Sequence, residues 1–248
     1  MIFKETIKDC LGFIYFNGFR RYIKREGNRS LIYHAFGMKL KHDTYGISME
    51  ISKFKEHMEY LTDNYKIIHA YKSLKESQKS ISITIDDGYK DTLDAVDILN
   101  NHRIPFTLFV TSAYIGQEEY LSRNDIHQIA KLDNAEIGSH GYSHKKLGLL
   151  NYQQQLIELT KSKTDIEEIT RKPVTGISFP HGSHNTDTLS LLESTSYAYA
   201  MSSLKGINNQ SCNKYLLRRS EIINRDTIDS LKKKIIAVSY THLTLPTT

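Results

Sequence analysis

Two short stretches hold residue types whose spacing could do chemistry. In Ile81-Ser82-Ile83-Thr84-Ile85-Asp86-Asp87-Gly88, three isoleucines alternate with Ser82, Thr84 and Asp86. A period of two is expected of a strand with two different faces. The alternation ends in adjacent carboxylates. Neighbouring strand residues point to opposite faces, so both acids reach one site only if the backbone bends there, which Gly88 permits. Paired acids in different environments divide labour, one binding a cation while the other handles protons. A hairpin turn is the competing use of Asp-Asp-Gly. In the second stretch, Ser139-His140-Gly141-Tyr142-Ser143-His144, two imidazoles stand four residues apart. On a helical turn they share a face and can bind one divalent cation, with a carboxylate completing the set.

The elements that must position these residues alternate along the chain. Strands are expected at 31–33, 81–85, 106–110, 135–139, 176–179, 197–201 and 215–217. Between them lie helical patterns: Phe54, Met58 and Leu61 behind a Ser52 cap, then Leu93, Val96 and Leu99. A Ser122–Asp125 capping box opens the next helix. A longer one runs from about 151 towards 170, another surrounds 189–192, and Asp226 is expected to cap the last. Strands alternating with helices predict an α/β fold with a parallel sheet, at this length a single distorted (β/α)7-type barrel. His34, Asp86 and Asp87, His140, Pro180-His181 and Arg219 all fall just after strands. That is the barrel face on which enzymes build their sites.

The 248 residues are 39% hydrophobic and 25% charged, which suits one globular domain. A formal net charge of +5 falls well short of a nucleic-acid-binding signature. The two cysteines, Cys10 and Cys212, have no metal-type spacing and form no disulfide framework. Residues 1–30 are expected to form an amphipathic helix, with Phe3, Ile7, Leu11 and Ile14 at helical spacing, and a basic segment from Arg20 to Arg25. Such a helix either packs on the barrel or makes peripheral membrane contact through residues 1–25. Its apolar run is too short to span a bilayer, and acids in the leading segment argue against a signal peptide. A cytoplasmic location at the inner face of a membrane is the expectation that follows. Residues 237–248 back-translate to a transposon mosaic end with its adapter, so they are expected to be sequencing read-through outside a domain of residues 31–236.

Taken together, Thr84 to Gly88 (T-I-D-D-G), Ser139 to Leu147 (S-H-G-Y-S-H-K-K-L) and Phe179 to Gly182 (F-P-H-G) resemble the first three motifs of the polysaccharide deacetylases, carbohydrate esterase family 4. Leu31-Ile32-Tyr33-His34 resembles the early Tyr-His segment of the poly-N-acetylglucosamine deacetylase branch. Residues 217–222 resemble that branch's late arginine motif, with Arg219 the better aligned of its two arginines. The resemblance implies a distorted barrel and a metal-dependent hydrolase that removes acetyl groups from sugars, here N-acetyl groups of a bacterial envelope polysaccharide or lipid-linked glycan.

By that match Asp87, His140 and His144 hold one divalent ion, zinc by default, and Asp86 is the base. His34 is the acid that protonates the departing nitrogen. Pro180, His181 and Gly182 form the substrate and oxyanion segment, where a backbone N–H near His181 helps hold the oxyanion. Arg219 is expected to orient Asp86, a surface arginine being the alternative, and His184 is expected to be a loop residue.

Departures from the family pattern are Ser178 where an arginine is usual, His181 in place of tyrosine, no tryptophan, and no C-terminal Leu-x-His motif. Two other functions stay open on sequence alone. One is an amidohydrolase of the same barrel type acting on a small cyclic amide. The other is an inactive glycan-binding protein, against which the retention of both a base and an acid argues.

Overall fold

A computed structural model describes residues 26–236 apart from 42 and 77. The expected N-terminal helix and basic segment up to Arg25, and the expected read-through from residue 237, lie outside the described residues. The strands are β1 (Asn28–Tyr33), β2 (Lys66–Ile67), β3 (Ser80–Ile85), β4 (Phe106–Val110), β5 (Ala135–Ser139), β6 (Gly176–Ser178), β7 (Tyr199–Met201) and β8 (Arg219–Glu221). The helices are α1 (Ile51–Asn64), α2 (Thr92–Asn101), α3 (Arg123–Ile129), α4 (Tyr152–Thr170), α5 (Thr186–Ser194) and α6 (Ile228–Ile236).

Seven strands run parallel in the order β7-β6-β5-β4-β3-β1-β8, with short β2 pairing beside β3. The ends of that row meet where Met201 at the end of β7 bridges Leu217, two residues before β8. The Leu217 N–H donates to Ala200 O at 3.0 Å, and Ser202 N–H to Leu217 O at 2.8 Å. The result is the nearly closed (β/α)7-type barrel that the alternation of elements predicts.

The period of two in β3 sorts its side chains as expected, and the apolar half faces outward. Ile81, Ile83 and Ile85 share one apolar layer with Phe54, Met58 and Leu61 of α1 and with Ala95, Val96 and Leu99 of α2. Ser80, Ser82, Thr84 and Asp86 face the barrel interior instead. There the Asn28 amide donates to Ser80 and Ser82 (3.1 and 2.9 Å), and Ser30 Oγ donates to Asn28 Oδ1. A polar column thus rises inside the barrel towards Asp86. Phe109, Tyr199, Met201 and Leu217 form a separate apolar cluster. No helix among the described residues is long and apolar enough to cross a membrane.

Several expected boundaries move. Ser52 does not cap α1: the helix starts at Ile51 after Glu50, whose N–H is tied down by Asn224 Oδ1 at 3.1 Å. Asp226 does not cap α6, because its carboxylate takes the Ile223 N–H and the Lys234 ammonium. Thr227 Oγ1 accepts from Ser230 N–H at 3.3 Å in its place. The strand expected at 215–217 begins only at Arg219, where the chain first finds β1 to pair with (Ser30↔Arg219). The Ser122–Asp125 box and the Asn151 start of α4 are as predicted.

Close packing at the barrel's centre gives a direct test. A methyl group on Gly138 of β5 would stand 2.5 Å from two ring carbons of Phe109 and 3.0 Å from Gly176 O. Gly138→Ala should therefore destabilise the fold by about 1–3 kcal/mol, the usual penalty for overpacking. Urea denaturation measures this; an unchanged midpoint would contradict the packing described.

Candidate active site

The site is assembled at the C-terminal ends of the strands. β3 delivers Asp86, whose N–H donates to Tyr33 O at 2.9 Å and so continues the β1–β3 ladder. The backbone then turns left-handed at Asp87 (φ 73°) and Gly88 (φ 82°). That bend brings two adjacent carboxylates to one place. The strand continues into α2 of a parallel layout, so the hairpin reading of Asp-Asp-Gly falls.

His140 follows β5, and His144 follows on a loop rather than a helical turn, with left-handed backbone at Gly141 (φ 73°) and His144 (φ 58°). The loop is shaped by Glu158, buried on α4. Its carboxylate accepts the N–H groups of Tyr142 (3.0 Å) and Ser143 (2.8 Å) and the Ser143 hydroxyl. A helix would have satisfied those N–H groups internally. Glu158 does so from outside and frees the chain to aim both imidazoles inward.

His140 Nδ1 stands 2.9 Å from Ser178 O, a carbonyl that can only accept, so Nδ1 carries the hydrogen and Nε2 presents a lone pair. That Nε2 is 3.2 Å from Asp87 Oδ1, and His144 Nε2 is 3.1 Å from the same oxygen. Neither contact has hydrogen-bond geometry, and Oδ1 is a buried oxygen without a hydrogen-bond partner. One ligand atom from each of the three residues lies within 4.8 Å of the others. Lone pairs converging on a buried anion are unfavourable by themselves and become favourable around a cation. The donor set therefore fits one divalent ion. Burial raises the Asp87 carboxyl, but the two imidazoles, when protonated and donating to it, hold it well below the usual carboxylate range. Burial lowers His140, while Asp86 and Asp87 together raise it above an ordinary imidazole.

Asp86 is held differently. Arg219, from β8 across the barrel, is 1% exposed and grips it with both arms: Nη1 to Oδ1 at 2.8 Å and Nη2 to Oδ2 at 2.9 Å. Arg219 also donates to Ser178 Oγ (2.6 Å), Thr84 Oγ1 (3.1 Å) and Ser202 O (3.1 Å). Ser178 Oγ in turn donates to Asp86 Oδ2 at 2.8 Å. Burial pushes the Asp86 carboxyl up, yet Arg219 and then His140 bring it below its ordinary value. The surface-arginine alternative is thereby excluded. The serine at the family's usual arginine position becomes intelligible too, since Ser178 passes Arg219's grip to the same carboxylate.

A cavity of about 710 Å³ opens over these groups, lined by Asp86, Asp87, His140 and His144 together with His34, His181 and Glu221. His34 follows β1 and has a buried Nδ1 without a partner. His181 takes left-handed backbone (φ 57°) in the Pro180–Gly182 turn, and its ring packs edge-on against His144 at 4.6 Å. Burial and then His144 lower its pKa. His184 turns away to donate to Gly182 O (3.0 Å) and to stack on Phe179, as expected of a loop residue. With the carbonyl as partner, its Nδ1 is the donor.

Sequence reasoning missed the aromatic wall. Tyr89 and Tyr120 stack at 5.1 Å, and Tyr114 packs on Tyr120 at 4.8 Å. All three line the cavity beside Asp87, where tryptophan is missing from this chain. Burial and then Asp87 push the Tyr120 phenol up to about 12, so it is a neutral donor at physiological pH. The signal available was a chain with 16 tyrosines and no tryptophan. Glu158 left no such signal, being one of many helix acids.

A seven-stranded barrel with an Asp–Asp pair and two histidines at its C-terminal rim defines a class of hydrolase. The family profile for polysaccharide deacetylase matches residues 73–200, and the chain belongs to that family. YxkH of Bacillus subtilis (strain 168) is 29% identical over 203 residues, covering 77% of this chain and 70% of that protein. The poly-beta-1,6-N-acetyl-D-glucosamine N-deacetylase of Staphylococcus aureus (strain MSSA476) is 24% identical over 199 residues, 75% of this chain and 68% of the relative. Among solved structures, the fold matches the Bacillus cereus polysaccharide deacetylase BC0361 with a TM-score of 0.76 at 21% identity, over 85% of this chain and 69% of that one.

The Arg219–Asp86 pair generates two linked expectations. Arg219→Met strands a buried carboxylate and should cost about 3–5 kcal/mol. A carboxyl held below its unfolded value stabilises the fold above about pH 3.9, and that stability is lost as pH falls through the folded pKa. The acid-induced loss should therefore shrink in Arg219→Met. Denaturation across pH 3 to 7 checks both, and equal stability of the two proteins at neutral pH would refute the clamp.

Proposed function

We propose that this protein is a metal-dependent de-N-acetylase acting on an N-acetylhexosamine polysaccharide of the bacterial envelope. The observation that carries the reading is the convergence of Asp87, His140 and His144 beside a clamped Asp86, in a cavity that His34 also lines. The poly-beta-1,6-N-acetylglucosamine deacetylase relatives support the substrate class. Two imidazole nitrogens and one carboxylate suit zinc.

A divalent ion held by Asp87, His140 and His144 supplies Lewis acidity towards water and the acetyl carbonyl. Asp86 accepts the proton of the attacking water. Arg219 and Ser178 fix its two oxygens and keep it ionised, which a base requires. Asp87 and Asp86 thus divide binding from proton transfer because one faces two imidazoles and the other a guanidinium. The turn at His181 presents backbone at the cavity wall, where an oxyanion would be held. An amide nitrogen leaves poorly until protonated. His34 stands on the neighbouring strand end and lines the cavity, where an imidazole can deliver that proton. The tyrosine wall offers aromatic surface against which the acetyl methyl can pack.

Replacing His140 or His144 with alanine should abolish both bound metal and acetate release. Asp86→Asn should keep the metal and lose about 10²- to 10⁴-fold in turnover, because the proton acceptor is removed, and should lower stability by leaving the Arg219 charge unbalanced. Metal analysis alongside the acetate assay separates the two; full occupancy in the double histidine variant would sink the assignment.

His34→Asn should keep its metal as well. It should slow N-acetyl sugars far more than 4-nitrophenyl acetate, whose leaving group needs no proton. Equal losses on both substrates would remove His34 from the mechanism.

A further inference from the structure

A second cavity, of about 610 Å³, opens at the other end of the barrel, where the strands begin. Glu136 of β5, Thr175 before β6 and Tyr199 of β7 line it. Tyr199 and Leu217 also belong to the apolar cluster whose Phe109 ring carries the Arg219 guanidinium at 5.7 Å. That cluster stands between this cavity and the reaction site. Glu136 Oε1 accepts the Thr175 hydroxyl and Oε2 the Thr107 hydroxyl, both at 3.0 Å. Neither contact brings a positive charge to the carboxylate. Burial raises the Glu136 carboxyl, and the two threonine hydroxyls oppose the rise. Tyr199 Oη stands beside it without hydrogen-bond geometry, a buried hydroxyl with no partner. Its ring can lie there only because β6 has a glycine beneath it: a Cβ on Gly176 would overlap Tyr199 Cζ and Oη. His69 Nδ1 is a second buried atom without a partner, and its ring stacks on Tyr71 at 5.4 Å. At the mouth stand three exposed lysines, Lys75, Lys172 and Lys214, against one exposed acid, Asp133.

We propose that this cavity is a second binding site, and that its ligand is a guanine nucleotide. The inference does not depend on the deacetylase reading. Small-molecule sites enclose about 300–1,000 Å³ and combine apolar walls with a few placed polar groups, as this cavity does. A carboxylate with lone pairs left on both oxygens matches two adjacent N–H donors. Guanine offers such a pair at N1 and N2, next to the acceptor O6, which the Tyr199 hydroxyl can meet. The stacked His69–Tyr71 pair gives aromatic surface for the base, and the lysines at the mouth suit a phosphate. A simple cation would meet the lysines first, and a simple anion would leave Glu136 unmatched. Adenine is excluded by the same geometry, since its N1 lone pair would face the Glu136 lone pairs.

Calorimetric titration of the full, zinc-loaded chain with GMP tests this, with AMP, guanosine and inorganic phosphate as comparisons. GMP should bind at one site per chain. AMP and phosphate should bind about tenfold more weakly or worse, the discrimination that a matched bidentate pair gives. Glu136→Gln keeps the side chain's size and should lose about tenfold for GMP. Lys214→Ala, at an exposed position, should weaken GMP about two- to fivefold and leave guanosine unchanged. His140→Ala should bind GMP as wild type does, because the nucleotide does not sit on the metal. Three results would each overturn the proposal: no GMP binding at about millimolar concentration, equal affinity for AMP, or binding that survives Glu136→Gln and disappears in His140→Ala. Should Glu136→Gln not fold, the AMP comparison and Lys214→Ala decide the matter.

Discussion

One buried cation organises this molecule. Arg219 sits inside the barrel and reaches β3, β6 and the end of β7 at once, through Asp86 and Thr84, Ser178, and Ser202. A guanidinium so deeply buried must have every donor met and its charge balanced. Those needs fix how β8 closes the barrel against strands far away in sequence. They also fix Asp86: both of its oxygens are spoken for, so it stays charged in a place where burial alone would favour its protonation. The neighbouring Asp87 points the other way and meets two imidazole nitrogens with no guanidinium among its partners. Adjacent residues of one type thus acquire different chemistry from their surroundings.

Backbone conformation supplies the rest of the preorganisation. Asp87, His144 and His181 all take positive φ, a conformation that costs a non-glycine residue about 1–2 kcal/mol. Each is held there by contacts made elsewhere. Asp87 is bracketed by the Tyr33 and Asp86 ladder contacts, and Gly88 N–H donates to Asp86 O at 3.0 Å. The loop carrying His144 is clamped by Glu158, and the turn at His181 closes through the Gly182 N–H bond to Phe179 O at 2.8 Å. Strain gathered at three points around one cavity is the pattern expected of a site shaped before its ligand arrives.

What could be read from the sequence follows from how local each feature is. The β3 alternation depends only on period two, so the strand and its pair of acids were legible, although the isoleucines proved to face the helices and the serines the barrel interior. His140 and His144 were found by spacing, but a helical turn was assumed for what is a loop, because the carboxylate that shapes it comes from Glu158, fourteen residues beyond His144 and on another element. Arg219 was ambiguous for the same reason on a larger scale: its partner is 133 residues away, and nothing in residues 217–222 reports that the side chain is buried. The cap expected at Ser52 lost to an earlier helix start held by Asn224, a partner far away in sequence, while the Asp226 carboxylate turned to the Ile223 N–H and the Lys234 ammonium instead of the helix start. Ser178 read as a defect in a motif until the arginine reached it from across the barrel.

The central claim is that one ion, held by Asp87, His140 and His144, makes this barrel a hydrolase. The most direct measurement is a titration of metal-free protein with zinc, following acetate release from a β-1,6-linked N-acetylglucosamine oligomer against bound metal. Activity should rise in proportion to occupancy and level off at one ion per chain. Full activity in the metal-free protein, or a plateau reached only at two ions per chain, would contradict the account.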